Sequence, residues 1–237
     1  MIVDIDKWKE RKYEFWNRLW EDLEIGYLDE DLLPLLVEFN LRPDTYTLSS
    51  CSGRIVIVDS LKPWAREKTN VIFKKHHPIK INELIDVIRK PFVHRLWLIV
   101  SGPIIHVSVN NLKSAIDMLR LAREAGFKHS GILSINKVKG IILELLTGVK
   151  MIHLLKDPSG YQVNANDISS LIGVANEILL DGKKMFNQLY QILKMNRPDE
   201  LDKYVLDDLF RENYYGSLNN LSSITNIESF THLCFDS

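Results

Sequence analysis

Cysteine is scarce in this chain. Cys51 and Cys234 stand far apart in 237 residues, which excludes a disulfide framework and a cysteine-built zinc site and fits a reducing, intracellular compartment. Long apolar runs are missing too, since none approaches the roughly 20 residues of a membrane span. The first eleven residues are charged and lack the apolar core of an export signal. The expectation is a cytoplasmic protein without a membrane partner. Excess charge of one sign is also absent: 30 Lys and Arg against 31 Asp and Glu leave a formal net charge of −1. A nucleic-acid surface therefore has to be a local basic patch. Finally, no glycine pair with the spacing of a Rossmann cofactor loop follows the first strand, which counts against that fold.

What remains is ordinary globular material, 46% hydrophobic and 26% charged, in a chain long enough to bury a core in one or two domains. Trp8, Phe15, Trp16, Leu19, Trp20 and Leu23 recur at helical spacing over 4–24, with Gly26 as the stop; the tryptophans read as core. Asp29 is placed to cap a second helix through Phe39, with Pro34 in its first turn. Further helices are expected at 81–90, 111–125, 165–194 and 199–212. Strands rich in Val, Ile and Leu are expected at Arg54–Asp59, Leu96–Ser101, Ile104–Val109, Ile132–Asn136, Gly140–Leu146 and Lys150–Leu155, after a short extended piece at Thr45–Leu48. Residues 60–80 read as a loop carrying Trp64 and the basic cluster Lys74-Lys75-His76-His77. The fold class is α+β: a mixed β-sheet flanked by helices, not a Rossmann fold, with residues 1–195 as one body and 196–237 as a C-terminal helix and polar tail.

The segment Ser49-Ser50-Cys51-Ser52-Gly53-Arg54 is the most informative stretch. Short polar residues, a glycine and an arginine run straight into a β-branched strand. Such a turn brings backbone N–H groups, hydroxyls and a guanidinium together and suits a phosphate or carboxylate. The competing reading is a tight turn that starts a buried strand, with Arg54 on the surface.

The segment has company. Tyr27–Leu36 with Asn40 and Tyr46–Ile55 form one block, Lys74–Ile79 a second, Gly102-Pro103-Ile104-Ile105-His106-Val107 a third, and Ala125–Ile132 a fourth, with an echo in Ala175-Asn176-Glu177. In this order they resemble the tRNA wybutosine-synthesizing protein 3 family over about residues 25–195. The resemblance implies S-adenosyl-L-methionine as cofactor. It implies methylation at the N4 ring nitrogen of a tricyclic wyosine-type guanosine, just 3′ of the anticodon of phenylalanine tRNA. The chain departs from the family at Lys75, where a tryptophan is common, and at Val100-Ser101-Gly102, where some members carry a basic and an acidic residue.

With that resemblance, Ser49, Ser50, Ser52, Gly53 and Arg54, together with Ser130 and Gly131, are the expected cofactor-binding residues. Cys51 reads as a small apolar residue, since methyl transfer from a sulfonium needs no covalent enzyme intermediate. His106 is the expected proton acceptor, because N4 must lose its proton as it gains the methyl and an imidazole suits that chemistry; a structural histidine is the other reading. Lys74, Lys75, His76 and Lys128 are expected on tRNA phosphates, and Trp64 on a base. No metal is expected: His76 and His77 are adjacent, point apart and have no third ligand in view. Two other functions stay open, a non-catalytic RNA-binding module using residues 62–80 and a helical adaptor acting through 165–212.

Overall fold

The computed structural model describes residues 3–65 and 69–211. Among them are strands β1 (Thr45–Cys51), β2 (Arg54–Asp59), β3 (Asn70–Lys75), β4 (Leu96–Ser101), β5 (Ile104–Val109), β6 (Gly131–Asn136), β7 (Gly140–Leu146) and β8 (Lys150–Lys156). The helices are α1 (Ile5–Glu24), α2 (Leu33–Asn40), α3 (Ile81–Ile88), α4 (Leu112–Glu124), α5 (Ile168–Met195) and α6 (Lys203–Arg211). The α+β class holds, with helices flanking sheet. The sheet is not one mixed sheet, however. It is two four-stranded sheets in which every pairing is antiparallel. Short connections such as Gly102-Pro103 and Lys137-Val138-Lys139 leave no room for the dozen or more residues that a parallel crossover needs.

The described chain divides into two compact units. The first holds residues up to Cys51, Ile104–Leu146 and from Lys184 on; the second holds Ser52–Pro103 and Thr147–Lys183. Residues 196–211 are part of the first unit. The Arg42 guanidinium donates to the Asn196 carbonyl, Arg197 forms a fork with the Glu38 carboxylate, and the Trp16 indole donates to Asp208 at 2.8 Å. The expected tail beyond 211 and Cys234 lie outside the described residues.

In the first unit the sheet order is β1-β5-β7-β6. Strand alternation puts Ile105, Val107 and Val109 of β5, and Ile141, Leu143 and Leu145 of β7, on one face. There they meet α2, which is buried along its whole length, and apolar residues of α4, α5 and α6. The opposite face is capped at one end by Val3, Trp8 and Tyr46: the Trp8 indole donates to Ser108 Oγ at 2.8 Å. Gly140, at φ +78°, lies where a Cβ would fall 2.6 Å from Trp8 Nε1, so no other residue fits this turn. Asp4 caps α1, accepting from the Lys7 amide at 3.4 Å, and Gly26 ends it with φ 70°. Asp29 precedes a 3-10 turn, Glu30–Leu32, without the side-chain cap the sequence suggested.

In the second unit the order is β3-β2-β4-β8. Ile55, Ile57, Leu96, Leu98 and Val100 pack with α3 and with Ile168, Ile172, Ala175 and Leu179, a helical stripe on α5. β3 corrects the expected loop at 60–80. It is an edge strand with no buried residue, its side chains exposed or half-buried, so its sequence lacks the alternation that marks a half-buried strand. Among the described residues no helix is long and apolar enough to cross a membrane.

One buried charge ties the first unit together. Lys12 lies on the apolar stripe of α1, fully buried. Its ammonium is 2.7 Å from Asp202 Oδ2 and donates to the Arg42 carbonyl at 2.5 Å. Burial pushes this ammonium below its ordinary range, and Asp202 pulls it partly back. Asp202 also caps α6, accepting from the Val205 amide at 3.1 Å. Lys12→Met leaves that carboxylate buried and unpaired, and is expected to cost about 3 kcal/mol or more. Urea melts followed by tryptophan fluorescence measure it.

Candidate active site

The serine segment is strand rather than loop for half its length. Ser49, Ser50 and Cys51 belong to β1, which stays paired with β5 to its end: Ser50 opposes Ile105 and Cys51 opposes Ile104, after a register shift between Thr47 and Ser50. Pairing with β5 overrides the weak strand preference of short polar residues. Ser50 shares the core-facing side with Ile105, and its Oγ is buried without a hydrogen-bond partner. Ser49 is exposed and turned to the other side. Cys51 is half-buried and outside any disulfide.

On that other side a polar row crosses the sheet. Ser49 Oγ lies 3.1 Å from His106 Nδ1, which is also 3.1 Å from the Ser49 carbonyl. His106 Nε2 lies 3.2 Å from Glu144 Oε1. His106 and Glu144 are directly opposed on β5 and β7, and Glu144 is opposed by Gly131 on β6. A Cβ on Gly131 would meet nothing within 4 Å, so the row ends in open space. His106 and Glu144 are part-exposed, at 23% and 36%, which leaves the row open to a ligand. Ser130 serves the turn instead. Its hydroxyl is buried, donates to the Phe127 carbonyl at 2.7 Å and accepts from the Leu146 amide at 3.1 Å. Lys128 is exposed in the turn before β6.

The rest of the segment belongs to the second unit. Ser52 is fully buried, and its Oγ accepts from the Lys183 ammonium at 2.6 Å. Gly53 has φ +95°, and a Cβ there would sit 3.0 Å from the Ser101 carbonyl; the turn into β2 requires glycine. The Gly53 carbonyl accepts from His76 Nδ1 at 2.9 Å, so His76 supports the turn. Arg54 is exposed at the start of β2, opposite Ser101, with no hydrogen bond or ion pair among the described residues. Arg54 and the Lys183 cation thus flank Ser52 and Gly53. Beneath them, a Cβ on Gly102 would fall 2.2 Å from Thr147 Oγ1, and one on Gly182 would fall 3.1 Å from the Gly102 Cα. Helix α5 therefore lies on bare backbone.

The expected RNA residues separate on inspection. Lys74 is exposed on β3. Lys75 is spent on Glu83, at 2.9 Å from its Oε1. Trp64 is 73% exposed, with the Lys62 ammonium over its ring, which is the arrangement of a stacking platform with a cation attached. Pro78-Ile79 and the echo at Asn176 explain one another: the Asn176 amide accepts from the Ile79 N–H at 2.8 Å and donates to its carbonyl at 2.9 Å. Sequence reasoning missed Glu144 and Lys183. Glu144 had a readable signal, as the single charged residue in the strand GIILELL. Lys183, inside a long helix, had none.

Each unit thus presents polar groups to solvent: an exposed arginine at the start of β2 in the second, and a part-exposed imidazole held against a carboxylate in the first. The chain matches the family described as Methyltransferase TYW3 over residues 10–195, and it belongs to that family. It is 46% identical, over 82% of its own length and 93% of the relative's, to the tRNA(Phe) 7-((3-amino-3-carboxypropyl)-4-demethylwyosine(37)-N(4))-methyltransferase of Saccharolobus solfataricus. It is 35% identical to the protein of the same name from Aeropyrum pernix, over 70% of this chain and 87% of that one. Among solved structures, the PH1069 protein of Pyrococcus horikoshii superposes with a TM-score of 0.75 at 28% identity, covering 80% of this chain and 97% of that one. A hypothetical protein from Aeropyrum pernix gives 0.63 at 31%, covering 71% and 99%.

The Lys75–Glu83 pair makes a test of its own. Burial raises the Glu83 carboxyl, but hydrogen bonds from the Lys80 amide and the Lys75 ammonium outweigh it, and the group sits below its ordinary value of 4.5. Its stabilising effect is therefore complete above that value and is lost as pH falls through the lower, folded one. Glu83→Gln is expected to remove this part of the acid dependence of unfolding, read by circular dichroism on titration from pH 6 downward.

Proposed function

We propose that this chain transfers a methyl group from S-adenosyl-L-methionine to N4 of the demethylwyosine-type base at position 37 of tRNA(Phe). The observation that carries the proposal is the 46% identity to a protein of that named activity, over 82% of the chain. S-adenosylmethionine, when bound, supplies an electrophilic methyl group on a sulfonium. The donor set around Ser52 fits its carboxylate. Arg54 offers a fork without an intramolecular partner among the described residues, Lys183 adds a second cation, and the bare Gly53 backbone permits close approach. On the first unit His106 takes the N4 proton. On the second, Trp64 stacks on an RNA base, with Lys62 and Lys74 against phosphates; Lys128 adds a phosphate contact from the first unit. Lys75 and His76 leave that set, because Glu83 and the Gly53 carbonyl occupy them. Ser130 leaves the cofactor set, because its hydroxyl is buried and satisfied. A binding-only module accounts for Trp64 and the lysines but gives no role to a part-exposed imidazole paired with a carboxylate.

Calorimetric titration with S-adenosylmethionine tests the cofactor assignment. The parent is expected to bind, and Arg54→Ala to bind at least tenfold more weakly, about 1.4 kcal/mol. Unchanged affinity would remove Arg54 from the site, and absence of binding by the parent, with and without tRNA, would leave the binding-only module in its place. Trp64→Ala is expected to weaken tRNA binding by about 1–3 kcal/mol without altering cofactor affinity, measured by filter binding at fixed salt.

A further inference from the structure

We infer that Glu144 is the positioning residue for proton removal, and that Ser49 is the relay through which the proton reaches His106. The inference rests on the methyl-transfer reading and adds to it two roles on one sheet face. The geometry is specific about the ring. A carboxylate only accepts, so Glu144 Oε1, at 3.2 Å, requires a hydrogen on His106 Nε2. The neutral ring then has its lone pair on Nδ1. There the Ser49 hydroxyl, at 3.1 Å, donates to it. When Nδ1 takes up a proton, the hydroxyl can no longer donate, but the Ser49 carbonyl, also at 3.1 Å, accepts from the new N–H. Both protonation states of the ring therefore find hydrogen-bond partners without a change of side-chain position. His106 is the more buried of the pair, whereas Ser49 is exposed on β1, so a substrate nitrogen reaches the hydroxyl first.

The step balances. The methyl carbon's bond to the sulfonium sulfur breaks with its electron pair left on sulfur, which departs as a neutral thioether, while the substrate nitrogen bonds to that carbon and its own N–H bond breaks with the electron pair kept on nitrogen. The proton passes to Ser49 Oγ while the hydroxyl's own proton passes to Nδ1. The hydroxyl is regenerated, and the imidazolium charge faces the Glu144 carboxylate at Nε2. Release of the proton to water restores the ring. Helix α1 packs on this face through Trp8 and Phe15, with the Arg11 guanidinium over the Phe15 ring. Cys51 on β1 opposes Ile104, and Tyr46 opposes Ser108 at the end capped by Trp8. β6 carries no ionisable side chain, and the turn before it holds Lys128 and His129, both exposed. Among the strands that pair on either side of His106, Glu144 is the carboxylate.

Two measurements test this on the folded, full-length protein. In the free parent, nitrogen-15 NMR of the neutral His106 ring is expected to show hydrogen on Nε2, and Glu144→Gln to lose that preference, because an amide can donate to the ring as well as accept from it. A neutral ring with hydrogen on Nδ1 in the parent, or the same tautomer ratio in Glu144→Gln, would overturn the inference. In the methyl-transfer assay Glu144→Gln is expected to lower kcat at least tenfold with KM within twofold and to shift the acid limb of the kcat profile to lower pH; Glu144→Asp restores part of the rate. Ser49→Ala is expected to lower kcat with unchanged cofactor affinity. Superposable pH profiles and rates in an active parent would sink the inference alone. An inactive parent, supplied with cofactor and undermethylated tRNA, would sink the methyl-transfer reading and the inference with it.

Discussion

The alternation of β5 is the constraint on which the first unit depends. Ile105, Val107 and Val109 are fully buried on one side, so Ile104, His106 and Ser108 must lie on the other. A register slip of one residue would drive an imidazole and a hydroxyl into an apolar core and push three β-branched residues out. Each core residue lost in that way forfeits about 1.5–3 kcal/mol of burial, far more than any polar contact of the row returns. The core thus sets the register, and the register sets the site. His106 meets Glu144 because β5 and β7 are held in step by Val107 against Leu143 and Ile105 against Leu145. The irregularity in β1 then brings Ser49 to the same side as His106, where an unbroken strand would have alternated differently.

Much of this is legible in the sequence, and the misses have physical causes. The strands whose apolar residues face a core can be read to within a residue or two, because burial imposes a pattern on composition. The edge strand β3 cannot. With Val71 exposed and no fully buried residue, it is selected for pairing with β2 rather than for packing, and only its lysines stand out. Ser49 to Cys51 look like loop because small polar residues prefer turns; a partner strand far away in sequence, with Ile105 opposite Ser50, decides otherwise. Lys183 and Ser52 are brought together by tertiary structure alone, and no local periodicity records their contact.

The blocks that carry the family resemblance are a mixture of chemistry and packing. Ser130 closes the turn before β6, Asn176 holds the Ile79 peptide at both ends, and the missing Cβ of Gly102 leaves room for Thr147. A buried hydrogen bond or a missing Cβ constrains a position as tightly as a base does. Without those, the side chains that the proposed function assigns to chemistry are few: Ser49 with His106 and Glu144 on one unit, Arg54 with Lys183 and the Ser52-Gly53 turn on the other.

The charge balance of the chain bears on how such a protein holds RNA. With a net charge of −1, it offers tRNA no long-range attraction, and beyond about 8 Å at physiological salt little of any field survives. Affinity has to come from contact. Exposed lysines without an ion pair among the described residues, such as Lys74 and Lys128, would each release about one counterion, so the proposed contact set gives a shallow salt dependence. A stacked base is worth about 1–3 kcal/mol, comparable to one or two phosphate contacts, and is insensitive to salt. That gives an exposed tryptophan more weight here than it would have on a strongly basic surface.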